Sequence, residues 1–317
     1  MVIARLSSLT LLGHGPAKVS GGTDARSFSG ELGADRHCGS RSRQKPGKDH
    51  RDRRGRGGVG FPPNPFPELA TTGYVEPITP GSSVGLGFAG FKDYAARLQE
   101  VSETLGGPTI SGLTVIARQY DAQIVVGMAL RDALVPGRLT NSSVLIGPEG
   151  ATYVYHKVHL WQNEKLLFAA GQDFPVAVTP IGRIGMQICY DVRFPEATRA
   201  LALAGAEVVT GVWNSFRPEN EDPLDPAQFH HRAFTRAQEN GVFFLSCNRV
   251  GAQSGHCFLG SSVVAAPDGR NLAAADSESE EILRAKIDLR EVVRYRSFFG
   301  LWNDRRPNLY GPLTLQR

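Results

Sequence analysis

Three side chains suited to covalent acyl transfer stand at the ends or edges of apolar segments: Glu68, Lys157 and Cys189. Cys189 follows the run Ile181 to Ile188, which alternates and is bounded by Gly182 and Gly185, so it reads as a strand. Pro195 then suits the first turn of a helix, Ala197, Ala200, Leu201 and Ala204 share one face of it, and Gly205 closes it. A thiol at such a junction stands at the carboxyl end of the strand, beside the backbone N–H groups of the turn. Alone, Cys189 reads as a buried structural cysteine. Lys157 lies in Thr152–Trp161, an alternating strand where a cation sits among Tyr, Val and Leu, and Glu68 lies among apolar residues just before Gly73. Alone, each is an ordinary solvated residue. Together they supply a base, a cation and a nucleophile, and a thiol of pKa about 8.5 needs such neighbours to attack an amide or nitrile carbon.

The segments that carry them are Phe66-Pro67-Glu68-Leu69 with Thr72-Gly73-Tyr74, Tyr155-His156-Lys157-Val158-His159-Leu160, and Cys189-Tyr190-Asp191-Val192-Arg193-Phe194-Pro195-Glu196. In motif, order and spacing the chain resembles the nitrilase superfamily, the carbon-nitrogen hydrolases. The likeness continues through Asn141-Ser142-Ser143, Glu164-Lys165, Arg236 to Gly241, Asn248-Arg249-Val250-Gly251 and Pro267-Asp268-Gly269 to Asp304-Arg305-Arg306-Pro307 and Tyr310. It implies an α/β fold, a four-layer α-β-β-α sandwich. It also implies Glu68 as base, Cys189 as the nucleophile of a thioester intermediate, and Lys157 with the backbone N–H of Tyr190 as oxyanion donors. Glu164 matches a second carboxylate beside the lysine, or else is a solvated acid. No cofactor and no metal are implied, and family members commonly form homodimers or larger homo-oligomers.

Within that family the cysteine motif is more similar to the amidase and N-carbamoyl amidohydrolase branches than to true nitrilases, which usually carry Trp-Glu after the cysteine. The expected substrate is therefore a small linear amide or a ureido compound. The alternatives are a nitrilase and a catalytically impaired member that serves as a binding module. His159, Trp213, Asn214 and Arg217 are candidates for substrate contact, as are His230 and His231 for the pocket wall. Asn214 and Arg217 follow the strand Glu207–Trp213 and so stand at its carboxyl end, where Arg217 would suit a carboxylate through a bidentate pair or else is a surface loop residue. His230-His231 has no third ligand at metal spacing.

The elements that must position these groups are regular from Ser102 onward. A helix is predicted over Pro108–Tyr120, and another from the cap Asp225-Pro226 through Ala237, stopped at Gly241. Strands are predicted over Gln123–Ala129, Asn141–Ile146, Ala151–Trp161, Glu207–Trp213, Val242–Asn248, Phe258–Ala266 and Ile282–Ile287. A chain of 317 residues, 41% hydrophobic, can bury a sizeable core as one large domain or two small ones. No apolar stretch of about 20 residues and no signal pattern is present, so a soluble cytoplasmic protein without membrane contact is expected. Cys38, Cys189, Cys247 and Cys257 have no metal-ligand spacing. Cys247 and Cys257 read as core residues, with a disulfide across a hairpin as the alternative that a reducing compartment disfavours.

The N-terminal stretch departs from this order. Between Arg36 and Gly57 nine basic residues face two acidic ones, so a net charge of +4 conceals a remainder of −3. A mildly acidic body gives no reason to expect nucleic acid, and the basic arm lacks interleaved aromatics. Residues 1–60 are therefore set apart as an atypical Gly/Arg/Pro-rich segment, disordered or read from a shifted frame, and 61–317 as the hydrolase domain. Val2 to Leu12 could supply a first strand. Pro62-Pro63-Asn64-Pro65 stands where a second, central strand belongs and proline removes ladder donors, which leaves the mooring of Glu68 open.

Overall fold

The computed structural model describes residues 64–73, 88–218, 225, 227–253, 256–275 and 279–315, all within one compact unit. The basic stretch, Val2 to Leu12 and Cys38 lie outside the described residues.

A two-residue strand β1 (Asn64–Pro65) and helix α1 (Phe88–Val101) precede helix α2 (Pro108–Tyr120). In α2 Pro108 sits in the first turn, where a missing N–H costs nothing, and Asp121 caps the other end in a left-handed conformation (φ 47°). Strands β2 (Ile124–Arg131), β3 (Leu139–Gly147) and β4 (Gly150–His156) follow as an antiparallel meander, with β1 parallel to β2 at the sheet edge. Alternation decides the faces: Ile124, Val126, Met128 and Leu130 pack with Val144 and Ile146 against Ile110 and Ala117 of α2, whereas Val125 and Leu145 point the other way.

The second sheet is built from β5 (Val176–Thr179), β6 (Gly182–Ile188), β7 (Val208–Trp213), β9 (Phe243–Asn248), β12 (Val263–Ala265) and β13 (Asn271–Ala274). Its order is β13-β12-β9-β7-β6-β5, with β6, β7 and β9 parallel. Helices α3 (Pro195–Leu203) and α4 (Ala227–Asn240) make those crossovers and bury Leu201, Ala202, Phe229, Ala233 and Ala237 on Val209, Trp213 and Phe244. On the opposite face Ile184, Met186, Ile188 and Val212 meet Val125, Leu145 and Tyr155 of the first sheet. The layers are thus helix, sheet, sheet, helix. A small antiparallel sheet of β8 (Phe216–Pro218), β10 (Val250–Gln253) and β11 (His256–Leu259) and helix α5 (Arg290–Phe299) complete the unit. No helix of the described residues is long and apolar enough to cross a membrane.

Three sequence expectations need correction. Phe258–Ala266 is not one strand: Gly260 (φ 53°) and Ser261 (φ 58°) turn the chain, and its two halves join different sheets. Ile282–Ile287 is no strand. Among the described residues it has no ladder partners, and it lies over Val208, Phe243, Leu245 and Val264, the part of the wider sheet that the first sheet leaves uncovered, with Leu283, Ala285, Ile287 and Leu289 against it. The strand that leads to Lys157 ends at His156, one residue short of it. Pro65 does take part in a strand, but at a sheet edge, where the missing donor is tolerated. Cys247 and Cys257 are both buried, and no disulfide joins them.

Candidate active site

Cys189 takes over where β6 ends, with a positive φ of 42°, and opens a short 3-10 turn, Cys189–Arg193, that runs into Pro195 of α3. Left-handed backbone at a non-glycine residue is strained and must be held from outside. Asp191, fully buried, is the main clamp. Its Oδ2 accepts the Ile188 N–H (2.9 Å) and the Tyr155 hydroxyl (2.7 Å), and its Oδ1 accepts the His159 N–H (3.0 Å) and lies 2.8 Å from His159 Nδ1. Burial, reinforced by the Asp191 charge, pushes the Tyr155 hydroxyl well above the ordinary tyrosine range, so it remains a donor. His159 stacks on Phe194 (3.7 Å between centroids, 8°), and Arg236 of α4 donates to the Val192 carbonyl (3.0 Å). The turn is thus fastened from β4, from the segment after it and from α4.

Lys157 is buried directly beyond β4, its N–H on the Asn141 carbonyl (2.8 Å) and its carbonyl receiving the Gly171 N–H (2.9 Å). Its ammonium lies 2.7 Å from Glu68 Oε1 and 2.8 Å from the carboxylate of Glu164. Glu164 sits on the 3-10 turn Gln162–Leu166, where its Oε2 also accepts the Trp161 N–H (2.9 Å). Glu68 Oε1 receives Asn141 Nδ2 (2.8 Å) and Oε2 the Asn214 N–H (3.2 Å), while Asn214 Nδ2 donates to the Glu68 carbonyl (2.6 Å). The Glu68 segment also continues the β1 ladder, Phe66 and Ala70 donating to Val125 and Gly127 of β2 (both 2.7 Å). Gly127 is what lets it lie so close: a Cβ there would stand 2.6 Å from Glu68 Cα and against the Pro67 carbonyl oxygen. Glu68 is therefore firmly moored without a central strand before it.

The electrostatics follow from two carboxylates sharing one ammonium. Burial works against the Lys157 charge, yet Glu164 and Glu68 outweigh it and hold the ammonium above the ordinary lysine value. Glu164 is pushed up to about 6, by burial first, against the pull of Lys157. Burial, with the Glu68 charge adding to it, raises the Cys189 thiol above its ordinary value even though Lys157 and the Asn214 N–H favour the thiolate. The protonated form of the Cys189 thiol is thereby favoured. Asn141 and Asn214 spend their N–H groups on Glu68, which fixes their orientation and leaves both Oδ1 atoms buried without a hydrogen-bond partner among the described residues.

Of the residues singled out in the sequence, Glu164, Lys157, Glu68 and Asn214 form one chain of contacts in that order, and Cys189 shares the Asn214 N–H with Glu68. Tyr190 is the second residue of the turn that Cys189 opens, and the first N–H groups of a helical turn have no partner within it. His159 serves Asp191. Trp213 turns away from this group, packing on Phe229 and Phe244 in the core beneath α4, because it and Asn214 lie on opposite faces of the chain. Arg217 is half-buried in β8 opposite Cys257.

Residues 65–297 match the family model for carbon-nitrogen hydrolases. The chain belongs to the carbon-nitrogen hydrolase family. It is 39% identical over 230 residues to an (R)-stereoselective amidase of Pseudomonas sp, covering 72% of this chain and 78% of that one. It is 34% identical over 250 residues to a nitrilase of Pyrococcus abyssi, covering 77% and 84%. A carbon-nitrogen hydrolase structure from Helicobacter pylori superposes with a TM-score of 0.66 at 25% identity, covering 80% and 86%.

Asn141, Asp191 and Gly127 were not singled out as site residues. Asn141 is hidden among the polar residues of β3, and Asp191 reads as an ordinary turn acid. The available signal for Asp191 was its place two residues after a cysteine at a strand end. For Gly127 it was a glycine interrupting an apolar strand, the mark of a close backbone approach.

Proposed function

We propose that this carbon-nitrogen hydrolase cleaves small linear amides or ureido compounds through a thioester on Cys189. Glu68 accepts the thiol proton as sulfur attacks the carbonyl carbon. The tetrahedral oxyanion is met by the Lys157 ammonium and the Tyr190 N–H, each such donor worth on the order of 100- to 1000-fold in rate. Glu68 returns the proton to the departing ammonia or amine, leaving an acyl thioester. It then takes a proton from water, whose attack on the thioester releases the acid and restores the thiol. Glu164 is the second carboxylate on Lys157 and keeps it charged.

What favours an amide over a nitrile is the similarity to relatives: 39% identity to the (R)-stereoselective amidase against 34% to the nitrilase of Pyrococcus abyssi. Product analysis on matched amide and nitrile pairs tests it: acid and ammonia from the amide, with mass-detected acylation of Cys189, is the expected result. Turnover of nitriles alone, or full turnover by Cys189→Ala, would overturn it.

A further inference from the structure

We propose that Arg249 selects substrates that carry a carboxylate, binding that group several bonds away from the carbonyl attacked by Cys189. This rests on the reading of Cys189 as the nucleophile. The parallel strands β6, β7 and β9 are adjacent, and their carboxyl ends release Cys189, Asn214 and Asn248-Arg249 in turn. Register places Trp213 level with Asn248, and Ile188 level with Val212 and Cys247. Neighbouring strands lie about 4.8 Å apart, so about 10 Å separates the backbones of Cys189 and Arg249, with the Asn214–Glu68 contact between them. The carboxyl ends of parallel strands are where open α/β sheets bind ligands.

The backbone of Arg249 is fixed, donating to the Trp213 carbonyl (3.3 Å) and receiving the Gly260 N–H (2.9 Å). Its guanidinium lies over the Phe258 ring (4.0 Å to the centroid) and gives NH1 to Gln253 Oε1 (2.6 Å). Both supports adjoin the Glu68 turn: Phe258 packs in the cluster of Leu69, and Gln253 lies against Gly73, whose N–H closes the turn on the Leu69 carbonyl. Among the described residues no carboxylate pairs with Arg249, and its desolvated surroundings, with no charged neighbour to offset them, lower its pKa. A guanidinium keeps its charge and presents a rigid fork of five donors, so most of that fork lacks a partner here. The site supplies the complementary need. Two carboxylates against one ammonium repel an anionic substrate unless a further cation receives its acid group.

The test compares succinamic, glutaramic and adipamic acids with butanamide, pentanamide and hexanamide, the same chains ending in methyl. The wild-type enzyme should favour one of the acids over its neutral partner in kcat/KM. Arg249→Gln should lower that ratio on the order of 100-fold, mainly through KM, and Arg249→Lys should restore part of it. A ratio unchanged in Arg249→Gln, with both substrates falling together, overturns the proposal. So does a ratio governed instead by Arg217→Gln, or by Arg232→Gln, the α4 arginine whose charge interacts with Cys189. Wild-type enzyme that hydrolyses the neutral amides and favours no acid defeats this inference alone, whereas hydrolysis of none of the six defeats the amidase reading with it.

Discussion

Asn214 grips Glu68 at both ends, its side-chain amide on the Glu68 carbonyl at 2.6 Å and its backbone N–H on Oε2 at 3.2 Å. The two residues are 146 positions apart and follow strands of different sheets, β1 and β7, so this contact ties the Glu68 segment to the strand beside the one that leads to Cys189. Asn214→Ala leaves the buried Glu68 carbonyl without its side-chain donor, at a cost of about 1–3 kcal/mol. Its kcat should fall at least about tenfold, because a small displacement of a base costs that much. Thermal unfolding and steady-state kinetics on the same preparation check both parts.

Gly127→Ala probes the opposite side of the Glu68 segment. A methyl group placed 2.6 Å from Glu68 Cα must push that segment off β2, and overpacking of this kind costs about 1–3 kcal/mol. Activity should fall by at least about tenfold while circular dichroism stays native. Unchanged kcat would mean that the Glu68 segment does not need its close seat on β2.

Lys157→Met should be far more damaging. It leaves the Glu68 and Glu164 carboxylates buried together without their ammonium, and breaking a buried pair in this way costs about 3–5 kcal/mol. Adding Glu68→Gln removes one of the stranded charges, so the double variant should be more stable than the Lys157→Met single variant. Chemical denaturation of the three proteins decides the order.

The parts proposed for Cys189 and Glu68 can be separated by pH. Because burial and the Glu68 charge both hold the Cys189 thiol up, Glu68→Gln should shift the pH profile of Cys189 alkylation by iodoacetamide to lower pH. Turnover should collapse in the same variant, since no group is left to carry the proton. Cys189 reactivity rising while catalysis falls is the expected signature. An unchanged turnover would assign the base elsewhere, with Glu164 the first candidate.

Glu164 carries its own pH signature. Its folded pKa of about 6 lies above the ordinary 4.5, so the fold favours its protonated form. Its contribution to stability is therefore fully present below pH 4.5 and is lost as pH rises through about 6. In Glu164→Gln that loss is absent. The difference in thermal midpoint between variant and wild type should move in the variant's favour across this window and stay level on either side of it.

What could be read in the sequence was whatever glycine and proline punctuate. Gly182, Pro195 and Gly205 bracket the strand, turn and helix around Cys189, and all three boundaries stand where they were expected. Polarity patterns were less informative. Phe258–Ala266 is apolar at both ends, which masks the two left-handed residues in its Gly-Ser-Ser middle that split it, and Ile282–Ile287 alternates like a strand although among the described residues its backbone pairs with no strand. Helices α1 and α5 gave little signal, α5 being a run of arginines and aromatics with Val292 as its buried residue. In the site, the groups whose chemistry is unusual for their surroundings were visible: Glu68, Lys157 and Cys189 among apolar neighbours. Asn141, Asp191 and Gly127 act by what they touch, and contacts between distant segments leave no local mark.

The segment laid over the open part of the wider sheet has a consequence for how the protein is made. Strands β7, β9 and β12 leave the ribosome before Leu283 to Val292, so Val208, Phe243, Leu245 and Val264 wait uncovered while the remainder is translated. Folding is thus finished by a stretch that contributes no ladder hydrogen bonds, and an interrupted nascent chain presents an apolar sheet face to other chains. Slow translation through residues 275–292 prolongs the exposure of that face and raises the demand on chaperones.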